Sequence, residues 1–331
     1  MKLQKIFILF IMLGNMACQA QTKKKMEDKN NPLLCDPTEG ICGIPDSTAD
    51  IKIEAPKTTK AVKLIYFTDP ICSSCWGIEP QLRKLKLAYG QSLEIEYRMG
   101  GLLPDWSYNS GGISKPSDVA HHWDEVSVYY DMPIDGNVWL EDPLNSSYPP
   151  SIAFKAAQMQ GNDKAILFLR EIREMVFLQK INITKWEYLE LAGKKVGLDI
   201  VKFKADYEGK AKDVFEEDLK LGRELGVRGF PTMFFTDTTG QNEMVYGSKP
   251  YSTFENALVK LYPTATKTIY DKTWISVFSE YQSLTAKEFS ELTGIPRNEC
   301  GKYLDDLITN GKLEKQTTKN GAIWTLKNTS R

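Results

Sequence analysis

The stretch FTDPICSSCWGIEP, residues 67–80, decides the fold prediction for this chain. Its two cysteines, Cys72 and Cys75, are separated by two serines and follow the run AVKLIYFT (61–68), which ends at an Asp-Pro pair. The β-branched and aromatic run predicts a strand, and the residues after Cys72 predict a helix. A second strand is predicted at 92–99, so this part of the chain should form a parallel βαβ unit.

The position of the cysteine pair favours thiol–disulfide exchange. Cys72 lies at the predicted start of the helix, where unpaired amides and the helix dipole stabilise a thiolate, so we expect Cys72 to attack. Cys75 lies one turn later and is expected to resolve the mixed disulfide. A structural disulfide and half of a zinc site are the alternatives. The only two histidines, His121 and His122, are adjacent and would make a poor chelate, so no metal is expected.

A second motif, GVRGFPTMFF (226–235), predicts a loop that leads into a strand at Pro231. In a thioredoxin-like fold this loop faces the cysteine pair, and a cis proline there lets the neighbouring backbone pair with an extended peptide. We therefore predict that Phe230, Pro231 and Thr232 contact a substrate. Trp76, directly after the cysteine pair, is predicted to contact it as well.

The rest of the chain up to residue 264 completes an α/β fold. Apolar residues recur at spacings of three and four from about 114 to 225, which predicts a large helical insertion. Strands are predicted at 232–235 and 243–246, with a helix at 251–261. The prediction for 61–264 is a thioredoxin-like domain that carries a helical insertion.

Residues 265–331 predict a small winged-helix-like domain, with three helices followed by a hairpin. This pattern is frequent in DNA-binding proteins, but 266–331 contains ten Lys and Arg and eight Asp and Glu, a net charge of +2. The third helix, 296–310, is itself net negative and would repel phosphates. We therefore expect a packing or protein-interaction module and no nucleic-acid partner. Cys300 on this helix is expected to be a buried core thiol.

The first twenty residues predict an export signal. Lys2 precedes a fully apolar run at 6–13, which is too short to span a bilayer. Cys18 follows this run and is a candidate lipidation site, with cleavage after Ala20 as the alternative. We expect a periplasmic or other extracytoplasmic location, with a membrane tether through Cys18 if it is lipidated. If 1–20 is not a working signal, we expect a cytoplasmic location.

Residues 21–60 are mostly polar and predict a flexible tether. Cys35 and Cys42 lie in its turn-rich segment LLCDPTEGICGIP, with six residues between them. In an oxidising compartment we expect a local disulfide between them. A metal site and a second redox pair that exchanges electrons with the main pair are the alternatives.

The composition is that of an ordinary globular protein. Of the 331 residues 42% are hydrophobic and 26% are charged, and the formal net charge is −1. This balance gives no reason to expect nucleic acid or an acidic membrane surface as the main partner. The length suits about two domains.

Two resemblances to known families extend these predictions. FTDPICSSCWGIEP together with GFPT (229–232) resembles the DsbA-like branch of the thioredoxin superfamily. GNVW (136–139), the stretch 147–161 and FLREIREMVFLQKINIT (168–184) are similar to the Spx-degradation adaptor family of the ClpXP protease. The resemblance implies that Cys72 and Cys75 are the family's cysteine pair.

The resemblance also implies that Pro231 is the loop proline, and it exposes one departure. Thioredoxins keep a buried acid on the first strand, and 61–68 contains none. Proton transfer would then depend on Glu79 or on solvent.

The two resemblances imply different functions. The adaptor family works with a cytosolic protease and its members often carry a histidine-rich N-terminus, whereas 1–20 predicts export. From the sequence we therefore expect an enzyme: a thiol–disulfide oxidoreductase that acts on protein disulfides without a cofactor and is recycled by a redox partner. The alternative is a protein-binding adaptor whose cysteine pair is redox-sensitive or idle.

Overall fold

The computed structural model describes residues 58–107 and 114–327, together with the backbone of two short strands at Cys35–Asp36 and Ile41–Gly43. The predicted export signal at 1–20, with Cys18, lies outside the described residues, and so does most of the interval 21–60. In the part of the chain that is described, no helix is long and apolar enough to cross a membrane.

The described residues form ten strands and thirteen helices. The strands are β1 (Cys35–Asp36), β2 (Ile41–Gly43), β3 (Val62–Thr68), β4 (Leu93–Met99), β5 (Gly229–Phe230), β6 (Thr232–Asp237), β7 (Asn242–Tyr246), β8 (Ser283–Thr285), β9 (Leu313–Thr318) and β10 (Gly321–Leu326). The helices are α1 (Ser73–Gly77), α2 (Glu79–Tyr89), α3 (Pro116–Tyr130), α4 (Val138–Glu141), α5 (Tyr148–Gln158), α6 (Asn162–Leu178), α7 (Trp186–Lys195), α8 (Ile200–Glu208), α9 (Ala211–Glu224), α10 (Tyr251–Leu261), α11 (Trp274–Glu280), α12 (Ala286–Thr293) and α13 (Arg297–Thr309).

The central sheet has four strands in the order β4-β3-β6-β7. β3 pairs parallel with β4, as the βαβ prediction requires, and antiparallel with β6. Its apolar residues Val62, Leu64 and Phe67 are fully buried, because the strand is central and covered on both faces. The predicted thioredoxin-like fold is confirmed.

The helical insertion runs from α3 to α9 and separates β4 from β5. Its helix α6 buries an apolar stripe that includes Phe168, Ile172 and Val176. The segment after the cysteine pair forms two helices rather than the one that was predicted. Helix α1 ends at Gly77, and Pro80 lies in the first turn of a new helix, α2, where the missing N–H is not needed.

The C-terminal residues form the predicted winged-helix-like arrangement. Helices α11, α12 and α13 pack with a three-stranded sheet of order β8-β10-β9. Their apolar core contains Phe278, Phe289 and Trp324, and Cys300 is fully buried within it. This module therefore has a core of its own.

The C-terminal module is bound to the helical insertion by polar contacts. The amide of Asn320, in the β9–β10 turn, donates to a carboxylate oxygen of Asp124 at 2.9 Å and to the Ile134 carbonyl at 2.8 Å. Arg297 at the start of α13 forms two hydrogen bonds with Asp131, at 2.6 and 2.7 Å. The turn of the wing and the start of α13 are therefore occupied by contacts within the chain.

Two short strands lie within the interval 21–60, for which a flexible tether was predicted. β1 and β2 form an antiparallel hairpin in which Cys35 lies opposite Cys42. β2 also pairs antiparallel with β5, the short strand before Pro231. The difference from the prediction has a physical reason, because an open strand edge offers backbone groups that a nearby extended segment can pair with. Whether the two cysteines form a disulfide stays a prediction.

Candidate functional site

The fold brings the two predicted motifs together. Cys72 is the N-cap of α1, and its sulfur accepts a hydrogen bond from the Cys75 amide at 3.2 Å. The Cys72 Sγ also donates to the Phe230 carbonyl oxygen at 3.7 Å. Both cysteines are fully buried, and their sulfurs share a hydrogen bond rather than a covalent bond. The cysteine pair and the proline loop are therefore in direct contact.

The acidities of the two thiols differ from the sequence prediction. Burial raises the pKa of Cys72 well above its ordinary value, although its place at a helix start favours the thiolate. Burial also acts to raise the pKa of Cys75, but the hydrogen bond from Cys72 and the positive charge of Arg173 outweigh it, so that pKa is lowered. The first negative charge of the pair is therefore expected on Cys75 and not on Cys72.

Arg173 is the buried cation of this site. It lies on α6 with 1% of its side chain exposed and forms an ion pair with Glu79. Its Nη2 donates to the Thr68 hydroxyl at 2.6 Å, and the Thr68 hydroxyl donates to Tyr66 at 3.0 Å. Because Glu79 is held in this ion pair, it is poorly placed for the proton relay that the sequence suggested.

Asp69 supplies a buried acid close to the pair. Its carboxylate accepts hydrogen bonds from the amides of Ile71 and Leu102, at 3.0 and 2.8 Å, and from the Ser147 hydroxyl at 2.8 Å. Burial raises the pKa of Asp69 to about 6, against the opposing effect of these hydrogen bonds. The acid that 61–68 lacks is therefore present one residue after β3.

The proline loop is closed in this structure. The Phe230–Pro231 peptide bond is cis, as the sequence suggested. Phe230, Pro231 and Thr232 are all buried, and Phe230 lies opposite Cys42 of the N-terminal hairpin. The loop predicted to contact substrate is therefore covered by another part of the same chain.

Trp76, which was predicted to contact substrate, lies in the core of the structure. Its ring is fully buried and stacks on Phe177 with centroids 5.5 Å apart. The indole N–H donates to the Pro133 carbonyl at 3.1 Å, and the Arg170 guanidinium lies 4.4 Å from the ring centroid. The side chain faces the helical insertion, so it belongs to the core.

The two histidines, His121 and His122, lie on helix α3. His121 pairs with Glu125 on the surface of α3, with 3.1 Å between Nε2 and the carboxylate. Among the residues described by the structure, no group of three or more His, Cys, Asp or Glu side chains is placed to hold a metal ion.

The sequence prediction missed Arg173, Asp69 and Tyr66. Asp69 belongs to the quoted motif, and Arg173 lies in the stretch 168–184 that carries the adaptor resemblance. Arg173 donates to the Asp69 carbonyl at 3.2 Å from a position 104 residues along the chain, which no local pattern shows.

Comparison with known proteins assigns the family. A family model described as Thioredoxin matches residues 66–256. The ClpXP adapter protein SpxH of Halalkalibacterium halodurans is 33% identical over 305 residues, which cover 90% of this chain and 99% of that protein. The chain belongs to the SpxH adapter branch of the thioredoxin family. SpxH of Bacillus subtilis is 30% identical over 271 residues, covering 80% of this chain and 89% of that protein.

Solved structures agree on the fold. A protein from Nitrosomonas europaea, assigned as a protein disulfide isomerase, superposes with a TM-score of 0.52 at 21% identity and covers 62% of this chain and 97% of its own. At this identity the likeness establishes the fold and does not extend to activity.

The expectation of an oxidoreductase enzyme is wrong. The SpxH relatives that match most of the chain are named as adapters, whereas the disulfide isomerase shares only the fold. The site gives a physical reason why the motif misled the prediction. An enzyme of this class needs an accessible thiolate, but here Cys72 is fully buried and its pKa is raised.

Proposed function

We propose that this protein is an adaptor, which binds a protein client and brings it to a ClpXP-type protease. The observation that carries the proposal is the 33% identity to an SpxH adapter over 90% of the chain, which includes more than the thioredoxin domain. The client class implied by the adapter's name is an Spx-type protein. Under this proposal the cysteine pair is redox-sensitive or idle and does not turn over.

The buried thiol site supports this proposal. Cys72 and Cys75 contribute to the core around β3, and a large partner cannot reach their sulfurs without opening the structure. The C-terminal module is fixed to the insertion through Glu288, whose fully buried carboxylate binds Arg170 and lies 3.2 Å from Arg83. Because this buried ion pair holds the C-terminal module to the thioredoxin domain, a protein partner can bind to both at once.

A reconstituted degradation assay tests the proposal. Purified ClpXP and an Spx-type client are mixed with and without this protein, and the loss of client is followed with time. We expect degradation to accelerate with adaptor concentration and to saturate. A variant with both Cys72 and Cys75 replaced by serine should still accelerate degradation under reducing conditions. If a folded preparation leaves the rate unchanged at every concentration, the adaptor function is refuted.

Location provides a second, independent test. An adaptor must reach its protease, whereas residues 1–20 predict export to an extracytoplasmic site. Cell fractionation with a tag after Arg331 decides between these two predictions. Recovery with the protease in the cytosol supports the adaptor proposal. Recovery in the periplasm or in the membrane fraction, with Cys18 lipidated, contradicts it.

A further inference from the structure

The N-terminal hairpin lies where an extended peptide was expected to bind. β2 pairs antiparallel with β5, with Cys42 opposite Phe230 and Gly43 opposite Gly229. Residues of β2 also approach α1, the helix that contains Cys75, to within 8 Å between Cα atoms. β2 is therefore next to both halves of the thiol site, the helix and the proline loop.

Phe230 connects Cys42 to Cys72. Residues directly opposite each other in an antiparallel pair have Cα atoms about 4.5 to 5.5 Å apart, so Cys42 lies close to Phe230 along the backbone. The carbonyl oxygen of the same Phe230 accepts the hydrogen bond from Cys72 Sγ at 3.7 Å. Two cysteines from distant parts of the sequence thus meet at one residue.

The hairpin also brings its own two cysteines together. Cys35 and Cys42 are directly opposite in the β1–β2 register. The Cα separation of opposed residues falls within the range that a disulfide spans. The backbone therefore places the Cys35–Cys42 pair beside the segment that contacts Cys72.

We propose that Cys42 is a built-in thiol–disulfide exchange partner of Cys72, held at the thiol site by the pairing of β2 with β5. This proposal goes beyond the adaptor function and does not depend on it. While the hairpin is paired, it also occupies the strand edge at Gly229–Phe230 in place of an external peptide.

The exchange balances within the chain. It starts with a Cys35–Cys42 disulfide, a Cys72 thiol and a Cys75 thiolate. Cys72 attacks the Cys42 sulfur and passes its proton along the shared hydrogen bond to Cys75. The Cys42–Cys72 bond forms, the Cys35–Cys42 bond breaks, and Cys35 leaves as a thiolate.

The second step completes a two-electron transfer. Cys75 loses its proton, the Cys35 thiolate gains one, and the Cys75 thiolate attacks Cys72. The Cys72–Cys75 disulfide forms, and Cys42 leaves as a thiolate. Two electrons have moved from the buried pair to the hairpin pair. The four sulfurs together keep one proton and one negative charge throughout. An external low-molecular-weight disulfide is required only to form the first disulfide bond.

Trapping the mixed disulfide tests the proposal. In the full-length Cys75→Ser variant the second step cannot occur, so the Cys42–Cys72 disulfide should accumulate after treatment with oxidised glutathione. Remaining thiols are alkylated, and the protein is cleaved after glutamate. Cleavage after Glu39 separates Cys35 from Cys42, so mass spectrometry identifies which of the two is bound to Cys72. We expect Cys42 in most of the linked chains.

Two comparisons make the result specific. A Cys42→Ser, Cys75→Ser double variant should lose the link from Cys72 to the hairpin, and Cys300, buried in the C-terminal core, should not react in any variant. The proposal is overturned if Cys72 carries only glutathione or links to Cys35 as often as to Cys42.

The unmodified protein provides a readout that does not depend on the variants folding. When the chain is oxidised only at the hairpin and then incubated without added oxidant, the Cys35–Cys42 disulfide should convert in part to Cys72–Cys75. Circular dichroism before and after incubation verifies that the fold is retained. The absence of transfer between the two pairs in a folded sample also overturns the proposal.

Discussion

Replacing Glu288 by glutamine should weaken the attachment of the C-terminal module. The buried carboxylate accepts hydrogen bonds from Arg170 at 2.8 and 3.0 Å, and Nη1 of Arg83 lies 3.2 Å away. Removing one partner of a buried ion pair costs about 3 to 5 kcal/mol, because the other charge stays buried. Glu174 also binds Arg170, at 2.6 Å, so we expect a loss near the lower end, about 3 kcal/mol.

Glutamine is chosen so that only the charge changes. Glu288 also closes a capping box, in which the Thr285 amide donates to its carboxylate at 2.7 Å. Glutamine can keep this cap. The matched control is Glu291→Gln on the same helix, where the carboxylate pairs with Lys84 at 2.7 Å and both side chains are partly exposed. That change should cost about 1 kcal/mol or less.

Urea denaturation followed by tryptophan fluorescence measures both losses, from the shift in midpoint at an unchanged slope. Burial acts to raise the pKa of Glu288, but the charges of Arg170 and Arg83 outweigh it and the pKa is lowered. The ion pairs therefore stabilise the fold above the unfolded pKa of about 4.3, and this contribution disappears as the pH falls through the folded pKa. The difference in unfolding free energy between the wild-type protein and Glu288→Gln should therefore decrease as the pH falls. A loss for Glu288→Gln no larger than for Glu291→Gln at neutral pH would refute the reasoning.

Three further tests probe the thiol site. A methyl group added by Gly100→Ala would lie 1.9 Å from the Phe230 ring, so thermal unfolding should show a loss of stability of about 1 to 3 kcal/mol. The control Gly301→Ala, in a helix with open space around it, should be neutral or stabilising. Equal effects of the two substitutions on stability would argue against the clash. Asp69 has a pKa of about 6, so its ionisation destabilises the fold by about 3 kcal/mol at neutral pH, and this penalty should decline as the pH falls from 7 towards 4. In an NMR titration, a carboxyl carbon signal that titrates near pH 6 and is absent in Asp69→Asn would establish the raised pKa of Asp69. Titration of that signal near pH 4 would exclude the raised pKa. Maleimide should label the buried pair Cys72 and Cys75 slowly in native protein and rapidly in concentrated urea; equally rapid labelling in both conditions would show that the site is open.

The sequence was sufficient for the elements whose patterns are local. The apolar run of β3, the spacing of the insertion helices and the three C-terminal helices each predicted an element close to its observed place. The proximity of Cys72 to the loop at Pro231 also followed, because a thioredoxin-like fold brings these segments together. These predictions needed only periodicity, turn residues and one fold assignment.

The electrostatics of the site could not be predicted in the same way. A helix start favours the thiolate of Cys72, but the outcome depends on burial, which is produced by residues from several distant segments. The pKa of Cys75 is lowered first by the hydrogen bond from Cys72 and then by the charge of Arg173, which lies far along the chain on α6. The pairing of β2 with β5 escaped prediction for a related reason, since a three-residue strand carries no periodic signal.

The same distinction explains why the motif alone suggested an enzyme. A CxxC at a helix start opposite a proline loop specifies where two sulfurs lie, and the structure has them there. Turnover needs, in addition, that a substrate reach a nucleophilic thiolate. Access is controlled by the cover over the loop, and nucleophilicity by the buried charges around the pair. Both are properties of the whole chain, so relatives that match over most of its length say more about function than the motif does.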